Sequence, residues 1–294
     1  MPINSCGVCP RRCAQKGTAP FCGKGTDGIL IARAGLHFFE EPVISGQNGS
    51  GTVFFGGCNL KCGYCQNYEI SFGRKYCKTV SPRGLAEFFK SLEQQGAHNV
   101  NLVTPSHYVP QIIEALNIYR RRRPVRPKIP VVYNTSSYDS VEAIESLREY
   151  VDIYLADLKY YDPVLSEKYS RCPDYFTVAS AAIKRMSKHI PENIIENGIM
   201  KKGLIIRHLI LPSHTDDSIK VLDWIAGNVK GAGVSLMRQY TPHGRAYEHP
   251  EINRPLTAYE YNKAVKYALK LGLDGYVQDR GAVGKKYIPE WGEF

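Results

Sequence analysis

The sequence predicts an α/β protein in which short buried strands alternate with helices around a parallel sheet. Two observations support this fold class. From residue 51 onward, short apolar segments recur along the chain, and stretches in which apolar residues follow helical spacing separate them. Strands and helices that alternate in this way form βα units, whose strands lie parallel in one sheet. A content of 43% hydrophobic residues also favours a folded globular protein over a disordered chain.

The predicted elements follow one another regularly after a loop-like start. Residues 1–50 are rich in Gly, Pro and Cys, and only residues 31–39 have the pattern of a short helix. At residues 82–95, Leu85, Phe89 and Leu92 fall on one face of a predicted helix. The predicted strands lie at residues 52–55, 100–103, 131–133, 153–155, 204–206 and 234–237, and the further helices at residues 110–121, 140–150, 179–188, 218–227 and 258–271.

Polar residues follow several of the predicted strands. The carboxyl ends of parallel strands meet at one edge of a sheet, and the chemistry of such folds gathers there. We therefore expect the site among the following strand-end residues: Asn134, Asp157, Lys159, Arg207, His208, Gln239 and Tyr240.

The sequence contains neither a predicted membrane span nor a predicted secretory signal. No apolar run reaches the roughly 18 residues that a membrane helix needs. The first residues lack a basic patch followed by an apolar stretch. We expect a cytoplasmic protein without a membrane partner.

The chain carries a formal net charge of +10, from 38 basic and 28 acidic residues. Part of the excess lies in one basic run at residues 120–128. Such a run can contact RNA or an acidic partner. The favoured interpretation is a solvated helix end followed by a Pro-rich turn. Cations there oppose the negative end of the helix dipole, and no aromatic residue interrupts the run.

Nine cysteines are many for an enzyme of a reducing compartment. Seven of them form two groups, the first with Cys6, Cys9, Cys13 and Cys22 and the second with Cys58, Cys62 and Cys65. Clustered thiols in such a compartment bind metal more often than they form disulfides. The two isolated residues, Cys77 and Cys172, are predicted to be structural thiols.

The second group follows the first predicted strand as Cys58-x3-Cys62-x2-Cys65. Three thiolates on one compact loop can hold a [4Fe–4S] cluster and leave one of its four irons open to a chelating ligand. The glycines beside the loop let the backbone approach the cluster closely. A zinc site whose fourth ligand lies elsewhere is the alternative. The preceding strand and the aromatic Tyr64 before the last cysteine disfavour it.

This loop resembles the motif of the radical S-adenosylmethionine (SAM) superfamily, which is Cys-x3-Cys-x2-Cys with an aromatic residue before the last cysteine. The resemblance implies a partial (β/α)6 barrel similar to a TIM barrel. It also implies that the amino and carboxylate groups of SAM chelate the open iron. One electron from the reduced cluster then breaks the bond between sulfur and C5′. The resulting 5′-deoxyadenosyl radical takes a hydrogen atom from a substrate.

Later segments resemble the activases of glycyl radical enzymes, the group of pyruvate formate-lyase activating enzyme. The stretch that ends Asp157-Leu158-Lys159 is similar to an activase strand in which the Lys binds the SAM carboxylate. The Asp of that strand helps to hold SAM and a monovalent cation. Arg207 corresponds to an arginine that contacts SAM, and Tyr240 stands near a histidine at the end of the strand that reaches the adenosine.

Two segments depart from the activase pattern. Activases receive the SAM amino group on a Gly-Gly-Glu stretch, which corresponds here to residues 103–107 and lacks a carboxylate. Thr104 and Ser106 are the predicted SAM contacts in that stretch, and Ser106 could accept hydrogen bonds from the amino group. Asn134 stands where activases have an aspartate, and a neutral side chain would weaken a cation site. The whole chain resembles the PflX-type group of activase homologues, whose substrate the resemblance does not assign.

The first cysteine group, Cys6-x2-Cys9-x3-Cys13-x8-Cys22, supplies four thiolates within 17 residues. A closed site of four cysteines suits either zinc as a structural staple or a second [4Fe–4S] cluster as an electron relay, and both remain open. We expect three regions along the chain. They are a Cys-rich extension at residues 1–50, a radical SAM core at residues 51–245 and a helical extension at residues 246–294 that packs on the core.

Three functions remain open from the sequence. The first is an activase-like radical SAM oxidoreductase that takes hydrogen from a glycine of a partner protein. The second is a radical SAM enzyme for a small metabolite or for RNA, with residues 120–126 helping in the RNA case. The third is a non-catalytic Fe–S or zinc module, which the strand-end residues that match SAM contacts disfavour. The resemblance also implies a low-potential electron donor of the flavodoxin or ferredoxin type.

Overall fold

The structure, a computed structural model, describes residues 7–24, 28–121, 129–278, 291–292 and 294. Its strands are β1 Ile29–His37, β2 Ser50–Phe55, β3 Lys78–Val80, β4 Val100–Val103, β5 Val131–Thr135, β6 Ile153–Asp157, β7 Ile194–Glu196, β8 Ile199–Leu209, β9 Gly233–Met237 and β10 Gly275–Val277. Its α-helices are α1 Pro42–Ser45, α2 Tyr68–Phe72, α3 Pro82–Gln94, α4 Val109–Arg121, α5 Val141–Ser146, α6 Pro163–Ser170, α7 Tyr175–His189, α8 Thr215–Asn228 and α9 Ala258–Lys270.

The strands follow the order β10-β9-β8-β6-β5-β4-β2-β1-β3, and β7 pairs with β8 off this path. The six strands β2, β4, β5, β6, β8 and β9 are parallel neighbours. Helices connect each of them to the next, and α9 follows β9. This topology confirms the predicted partial (β/α)6 barrel. The strand β10 extends it by pairing parallel to β9.

Alternate residues of the parallel strands face opposite sides of the sheet. On β6, Tyr154 and Ala156 belong to the large hydrophobic core, whereas Ile153 and Leu155 pack in a separate cluster on the concave face. Asp157 continues the concave series at the strand end, opposite Arg207 of β8. The alternation therefore aims Asp157 and Arg207 into the barrel at its carboxyl edge.

The predicted helix at residues 31–39 is wrong, because residues 31–37 lie in strand β1. It pairs antiparallel with β2, with Ala34 opposite Val53. Residues Ile29 to Ala32 are all buried. A short apolar run fits a buried strand as well as a helix, and sequence periodicity alone does not distinguish the two. The pairing partner β2 decides the conformation.

Other elements differ from the prediction in length or were missed. The helix α5 ends at Ser146 instead of residue 150, and β8 begins at Ile199, well before the predicted residue 204. No predicted helix corresponds to α6. The Asp162 carboxylate caps it by accepting a hydrogen bond from the Val164 N–H at 2.8 Å, and Pro163 occupies the first helical position. Asp-Pro is a helix-start signal that the apolar spacing did not reveal.

The short helix α1 closes the amino end of the barrel interior. Ile44 is fully buried among Val132, Ile153 and Ile205 of the parallel strands. The amide of Asn99 donates to the Ile44 carbonyl at 2.8 Å and fixes the helix in this place. The segment before β2 is therefore an integral part of the core.

We expect Ile44→Ala to lower the free energy of unfolding by about 3 kcal/mol, because it removes buried methyl groups and leaves a cavity. Urea denaturation followed by circular dichroism measures the change. Ile194→Ala is the matched control, since Ile194 is 46% exposed, and we expect an effect within about 0.5 kcal/mol. Equal losses in the two variants would show that α1 does not support the core.

The structure describes the start of the predicted basic run. The run at residues 120–128 begins in the last turn of α4, and residues 122–128 lie outside the described residues. The Arg120 guanidinium donates to the carbonyls of Glu149 and Tyr150 at 2.7 and 3.0 Å, which favours the structural interpretation of the run.

In the described part of the chain, no helix is long and apolar enough to cross a membrane.

Candidate active site

A cavity lies at the carboxyl edge of the parallel strands. The structure brings all but two of the predicted catalytic and cofactor-binding residues to its wall, namely Cys58, Cys62, Cys65, Tyr64, Thr104, Asn134, Asp157, Lys159 and Arg207. The thiols come from the loop after β2, and the polar residues come from the ends of β4, β5, β6 and β8. The shared edge of a parallel sheet explains why residues so distant in sequence meet here.

Backbone hydrogen bonds hold the three-cysteine loop in place. The Gly63 N–H donates to the Tyr169 carbonyl at 2.8 Å, and the Gly63 carbonyl accepts from the Arg245 N–H at 2.6 Å. At Gly57, φ is +83°, and a Cβ would lie 2.2 Å from the Cys22 carbonyl oxygen. Only glycine fits both this conformation and this close approach. The loop is thus fixed by the segments around Tyr169 and Arg245 at Gly63 and by the segment around Cys22 at Gly57.

The three thiols of this loop are the type of ligand that holds an iron–sulfur cluster. Three sulfur atoms face one cavity, and hydrogen-bond donors point at them. The Leu60 N–H lies 3.4 Å from Cys58 Sγ, and the Ser170 hydroxyl donates to Cys62 Sγ at 3.0 Å. Hydrogen bonds to sulfur are a means by which proteins stabilise and tune such clusters.

Two thiols of the loop, Cys62 and Cys65, resist ionisation. Burial raises the pKa of Cys62, although the neighbouring Lys159 opposes the change. Burial also raises the pKa of Cys65 to about 12, and the nearby Cys62 and Cys58 add to the effect. Metal ligation removes the proton from a coordinating thiol, because the cation compensates the buried negative charge. Cluster binding would therefore release protons at this loop.

Two cations and two carboxylates at the wall of the same cavity form a largely buried ionic network of Glu40, Asp157, Lys159 and Arg207. Lys159 Nζ lies 2.6 Å from Asp157 Oδ2. The Arg207 guanidinium lies 2.8 Å from Asp157 Oδ1 and 3.1 Å from Glu40 Oε2. It also donates to Asn134 Oδ1 at 2.6 Å. The network balances its formal charges and leaves N–H donors at the cavity wall.

The pKa shifts follow from this pairing. Burial alone would raise the pKa of Asp157, but Arg207 and Lys159 outweigh it, so the pKa is lowered. Burial raises the pKa of Glu40 and exceeds the opposing effect of Arg207. The pKa of Lys159 is raised, because Asp157 and Cys62 together outweigh burial. Lys159 is thus a cation that interacts both with Asp157 and with the thiol of Cys62.

Thr104 occupies a strained position at the cavity wall. Its φ is +60°, a value that a β-branched residue rarely adopts. The Thr104 N–H donates to the Asn134 carbonyl at 2.9 Å, which ties the turn after β4 to β5. Backbone strain of this kind gathers at functional sites, where the surrounding structure enforces it. The turn therefore has a fixed shape next to the cavity.

The structure does not bring Ser106, His208 or Tyr240 to the cavity. The Ser106 hydroxyl is buried 3.2 Å from Thr135 Oγ1. His208 faces the helices and bonds Ser218 Oγ at 2.9 Å. The Tyr240 hydroxyl donates to the Ile252 carbonyl at 2.7 Å, and the neighbouring Gln239 lines the cavity instead.

Sequence analysis missed several residues of the wall. The most consequential is Glu40, which lies between β1 and α1 and whose carboxylate also accepts from Asn134 Nδ2 at 3.1 Å. His37 and Phe39 line the same part of the cavity. The only signal in the sequence is a pair of acidic residues, Glu40 and Glu41, between apolar neighbours. Nothing local to that segment indicates that it enters a barrel formed by later residues.

Tyrosine side chains pack beneath the three-cysteine loop. Tyr64 lines the cavity and accepts a hydrogen bond from the Tyr160 hydroxyl at 2.7 Å. The Tyr160 hydroxyl also lies 2.8 Å from Ser170 Oγ, the group that donates to Cys62. The rings of Tyr64 and Tyr240 meet edge to face at 5.9 Å. The predicted aromatic position before Cys65 is thus a packing position for the loop.

The first cysteine group lies against this loop. Cys9, Cys13 and Cys22 are buried, and Cys6 lies outside the described residues. Backbone N–H groups of Phe21 and Lys24 point at the sulfurs of Cys13 and Cys22, each at 3.4 Å. No group of three or more His, Cys, Asp and Glu side chains is arranged to hold a metal ion within the residues that the structure describes. Metal binding by either cysteine group therefore stays a prediction.

Similarity to known proteins agrees with the geometry. The profile of the Radical SAM superfamily matches residues 52–225. An uncharacterized protein of Methanocaldococcus jannaschii is 36% identical over 248 residues, which cover 81% of this chain and 67% of the relative.

Two solved structures share the fold. SuiB of Streptococcus suis, bound to its precursor peptide SuiA, gives a TM-score of 0.51 at 14% identity over 76% of this chain and 46% of SuiB. The protein anSMEcpe with bound AdoMet, another abbreviation of SAM, gives 0.51 at 16% identity over 76% of this chain and 61% of that protein. The chain thus spans less than half the length of SuiB, and these likenesses concern the fold alone.

Proposed function

Because the chain belongs to the radical SAM superfamily, we propose that it reductively cleaves SAM at a [4Fe–4S] cluster held by Cys58, Cys62 and Cys65. The observation that supports this most directly is one cavity whose wall carries the three thiols together with the cations Lys159 and Arg207. When bound, the cluster and SAM would supply the one-electron chemistry that yields a 5′-deoxyadenosyl radical.

In this proposal, the residues of the chain bind SAM and orient it at the cluster. Lys159 is the proposed partner of the SAM carboxylate, because its ammonium faces the cavity and Asp157 uses only part of its hydrogen-bonding capacity. Asp157 and Arg207 hold each other through a charge-assisted hydrogen bond of 2.8 Å, which keeps Lys159 in place. The aromatic rings of Tyr64 and Phe54 form an apolar part of the cavity wall. Such a surface helps to exclude water from a reactive intermediate.

For the substrate we favour a peptide segment of a partner protein, as in an activase-like oxidoreductase. Phe39 lines the cavity and is 53% exposed, and its neighbour Phe38 is 51% exposed. Adjacent exposed aromatic side chains at the mouth of a cavity suit contact with another protein better than with a small polar metabolite. In the structure of SuiB, a peptide is bound. RNA has less support, because Arg120 is engaged by backbone carbonyls.

A low-potential electron donor of the flavodoxin or ferredoxin type completes the proposed reaction. The first cysteine group would hold either zinc or a second cluster. Its segment lies against the three-cysteine loop at Gly57. A zinc ion or a cluster bound there would therefore support that loop.

Formation of 5′-deoxyadenosine tests the proposal. The protein is reconstituted anaerobically with iron and sulfide, reduced with dithionite and given SAM. We expect 5′-deoxyadenosine to form in the reduced sample and not in a control from which the reductant is omitted. A reconstituted protein that binds iron and sulfide but forms no product would overturn the proposal. Incubation with a candidate partner, followed by EPR for a glycyl radical, tests the activase-like part separately.

We expect Lys159→Ala to raise the SAM concentration for half-maximal cleavage about tenfold or more, because it removes a charge-assisted hydrogen bond of about 1.5–3 kcal/mol. The rate of 5′-deoxyadenosine formation as a function of SAM concentration measures the change. Lys168→Ala is the control, since Lys168 pairs with Glu251 outside the cavity. An unchanged SAM requirement in Lys159→Ala would contradict the assigned role.

A further inference from the structure

Arg11 belongs to the segment of the first cysteine group, and its side chain contacts two other parts of the molecule. The guanidinium donates to the Asn59 carbonyl at 2.9 Å, within the three-cysteine loop. It also donates to the Arg171 carbonyl at 2.9 Å and to the Ser170 carbonyl at 3.4 Å, both at the carboxyl end of α6. One side chain therefore joins the three-cysteine loop to the end of this helix.

Aromatic rings and backbone carbonyls hold the guanidinium of Arg11 in this position. It lies 4.1 Å from the centre of the Phe21 ring and 5.4 Å from the centre of the Tyr138 ring, and a cation is attracted to the faces of such rings. The last carbonyls of α6 carry the negative end of the helix dipole, which a cation stabilises. The planar fork of an arginine can serve several acceptors at once, whereas a lysine is a single point of charge. The position therefore suits an arginine.

The two segments that Arg11 joins also share a hydrogen bond to a proposed cluster ligand. The Ser170 hydroxyl, which is fully buried, donates to Cys62 Sγ at 3.0 Å. The adjacent Tyr169 carbonyl accepts from the Gly63 N–H at 2.8 Å, so the helix end and the loop meet at two points. Arg11 thus holds both the helix end that carries the hydroxyl and the loop that carries the sulfur. A shift of either segment would change the distance between these two atoms.

We propose that the Ser170 hydroxyl raises the reduction potential of the cluster at the three-cysteine loop and that Arg11 is the residue that positions it. This inference rests on the proposed function, because it concerns the cluster at which SAM would be cleaved. A reduced cluster carries one more negative charge than an oxidised one. A hydroxyl proton that points at a ligand sulfur stabilises this additional charge, so the reduced state becomes more favourable. The segment of the first cysteine group thereby acts on the cluster without coordinating it.

The Ser170 hydroxyl has a second neighbour, the Tyr160 hydroxyl, at 2.8 Å. If Ser170 donated its proton to Tyr160, its oxygen lone pairs would face Cys62 Sγ, and removal of the hydroxyl would raise the reduction potential. A cluster-bound sulfur carries negative charge and is a stronger acceptor than a neutral phenol, which favours donation to Cys62. The sign of the change in potential therefore distinguishes the two arrangements.

A redox titration followed by EPR tests the proposal on the anaerobically reconstituted protein. The test variants are Ser170→Ala and Arg11→Lys, which keeps the charge but loses the planar fork. Ser166→Ala is the control for the first, since Ser166 is equally buried on the same helix and its hydroxyl donates to the Pro163 carbonyl. Arg12→Lys is the control for the second, because Arg12 is the next residue and is exposed. The measured quantity is the potential at which half of the cluster is reduced.

We expect Ser170→Ala to lower the equilibrium constant for reduction of the cluster about tenfold, which is about 59 mV for one electron. Arg11→Lys should lower it about threefold or more, within the range of coupling between residues of one hydrogen-bonded network. The double variant should match Ser170→Ala within about twofold, because Arg11 acts through the hydroxyl that this variant lacks. Both controls should match the parent within the same margin. Alanine is smaller than serine and favours helices, so α6 should persist in Ser170→Ala.

The outcomes separate the roles of the two residues. A potential that Ser170→Ala raises or leaves unchanged would overturn the role of Ser170. An equal shift by Arg11→Lys in the presence and absence of the Ser170 hydroxyl would show that Arg11 does not act through it. If the parent binds a cluster but forms no 5′-deoxyadenosine, the proposed function fails, and the potentials still decide this inference. A parent protein that takes up no cluster at this loop would overturn both.

Discussion

Cys62→Ser is expected to abolish 5′-deoxyadenosine formation while the fold stays intact. The variant removes one of three thiolates, and no other described cysteine lines the cavity to replace it. A serine hydroxyl fits the same space, and the Ser170 hydroxyl at 3.0 Å can hydrogen-bond it. The effect should therefore fall on the cluster. Iron and sulfide content after reconstitution, product formation and circular dichroism are measured on the same sample.

Cys172→Ser is the matched control for that experiment. Cys172 is also fully buried, but its sulfur lies 3.3 Å from the Asp174 carboxylate and outside the cavity wall. We expect the control to retain iron, sulfide and activity. A Cys62→Ser protein that cleaves SAM like the parent would refute the ligand assignment.

Arg207→Met is expected to destabilise the protein by about 3–5 kcal/mol, because it leaves buried carboxylates without their partner. Glu40 loses the cation with which it pairs in the described part of the chain, whereas Asp157 keeps Lys159. The side chain of Arg207 is only 12% exposed, so water does not replace the lost interaction. Urea denaturation of the anaerobically purified protein measures the loss.

The double variant Glu40→Gln with Arg207→Met separates stability from binding. Removing the buried negative charge should restore part of the lost stability, because a neutral amide is less costly to bury than an unpaired carboxylate. In both variants, the SAM concentration needed for half-maximal cleavage should be higher than in the parent protein, since the guanidinium is missing. If the double variant is no more stable than Arg207→Met, the Glu40–Arg207 pair does not account for the loss.

The strand-end residues could be predicted because local sequence carries their signal. Asp157 and Lys159 follow a buried strand directly, and the parallel topology places that strand end beside Arg207. The three cysteines lie on one loop, so no long-range knowledge was needed to group them. Where the chemistry depends on one strand end and one short loop, sequence spacing is sufficient.

Glu40 shows where sequence reasoning ends. It lies outside the matched family region at residues 52–225, yet it bonds Arg207 across 167 residues of chain. The segment was expected to form a loop-like extension, but β1 joins the sheet and α1 enters the barrel. Such placement depends on long-range packing, which spacing within the segment does not encode.

Arg207 also gives a physical reason for the neutral Asn134. The resemblance to activases predicts a weakened cation site at this position. In the structure the guanidinium bonds both Asn134 Oδ1 and Asp157 Oδ1, at 2.6 and 2.8 Å. A cation of the protein itself thus occupies the space between these two side chains. The position of Gln239 in place of Tyr240 at the wall is a different case, because a shift of one residue at a strand end reverses the side-chain direction.

EPR of the reduced, reconstituted protein tests the central claim most directly. If three cysteines leave one iron open, addition of SAM will change the spectrum of the reduced cluster, because SAM coordinates that iron. The same sample should contain about four irons and four sulfides at this loop, as a [4Fe–4S] cluster requires. A protein that carries only zinc there, or a spectrum that SAM leaves unchanged, would contradict the account.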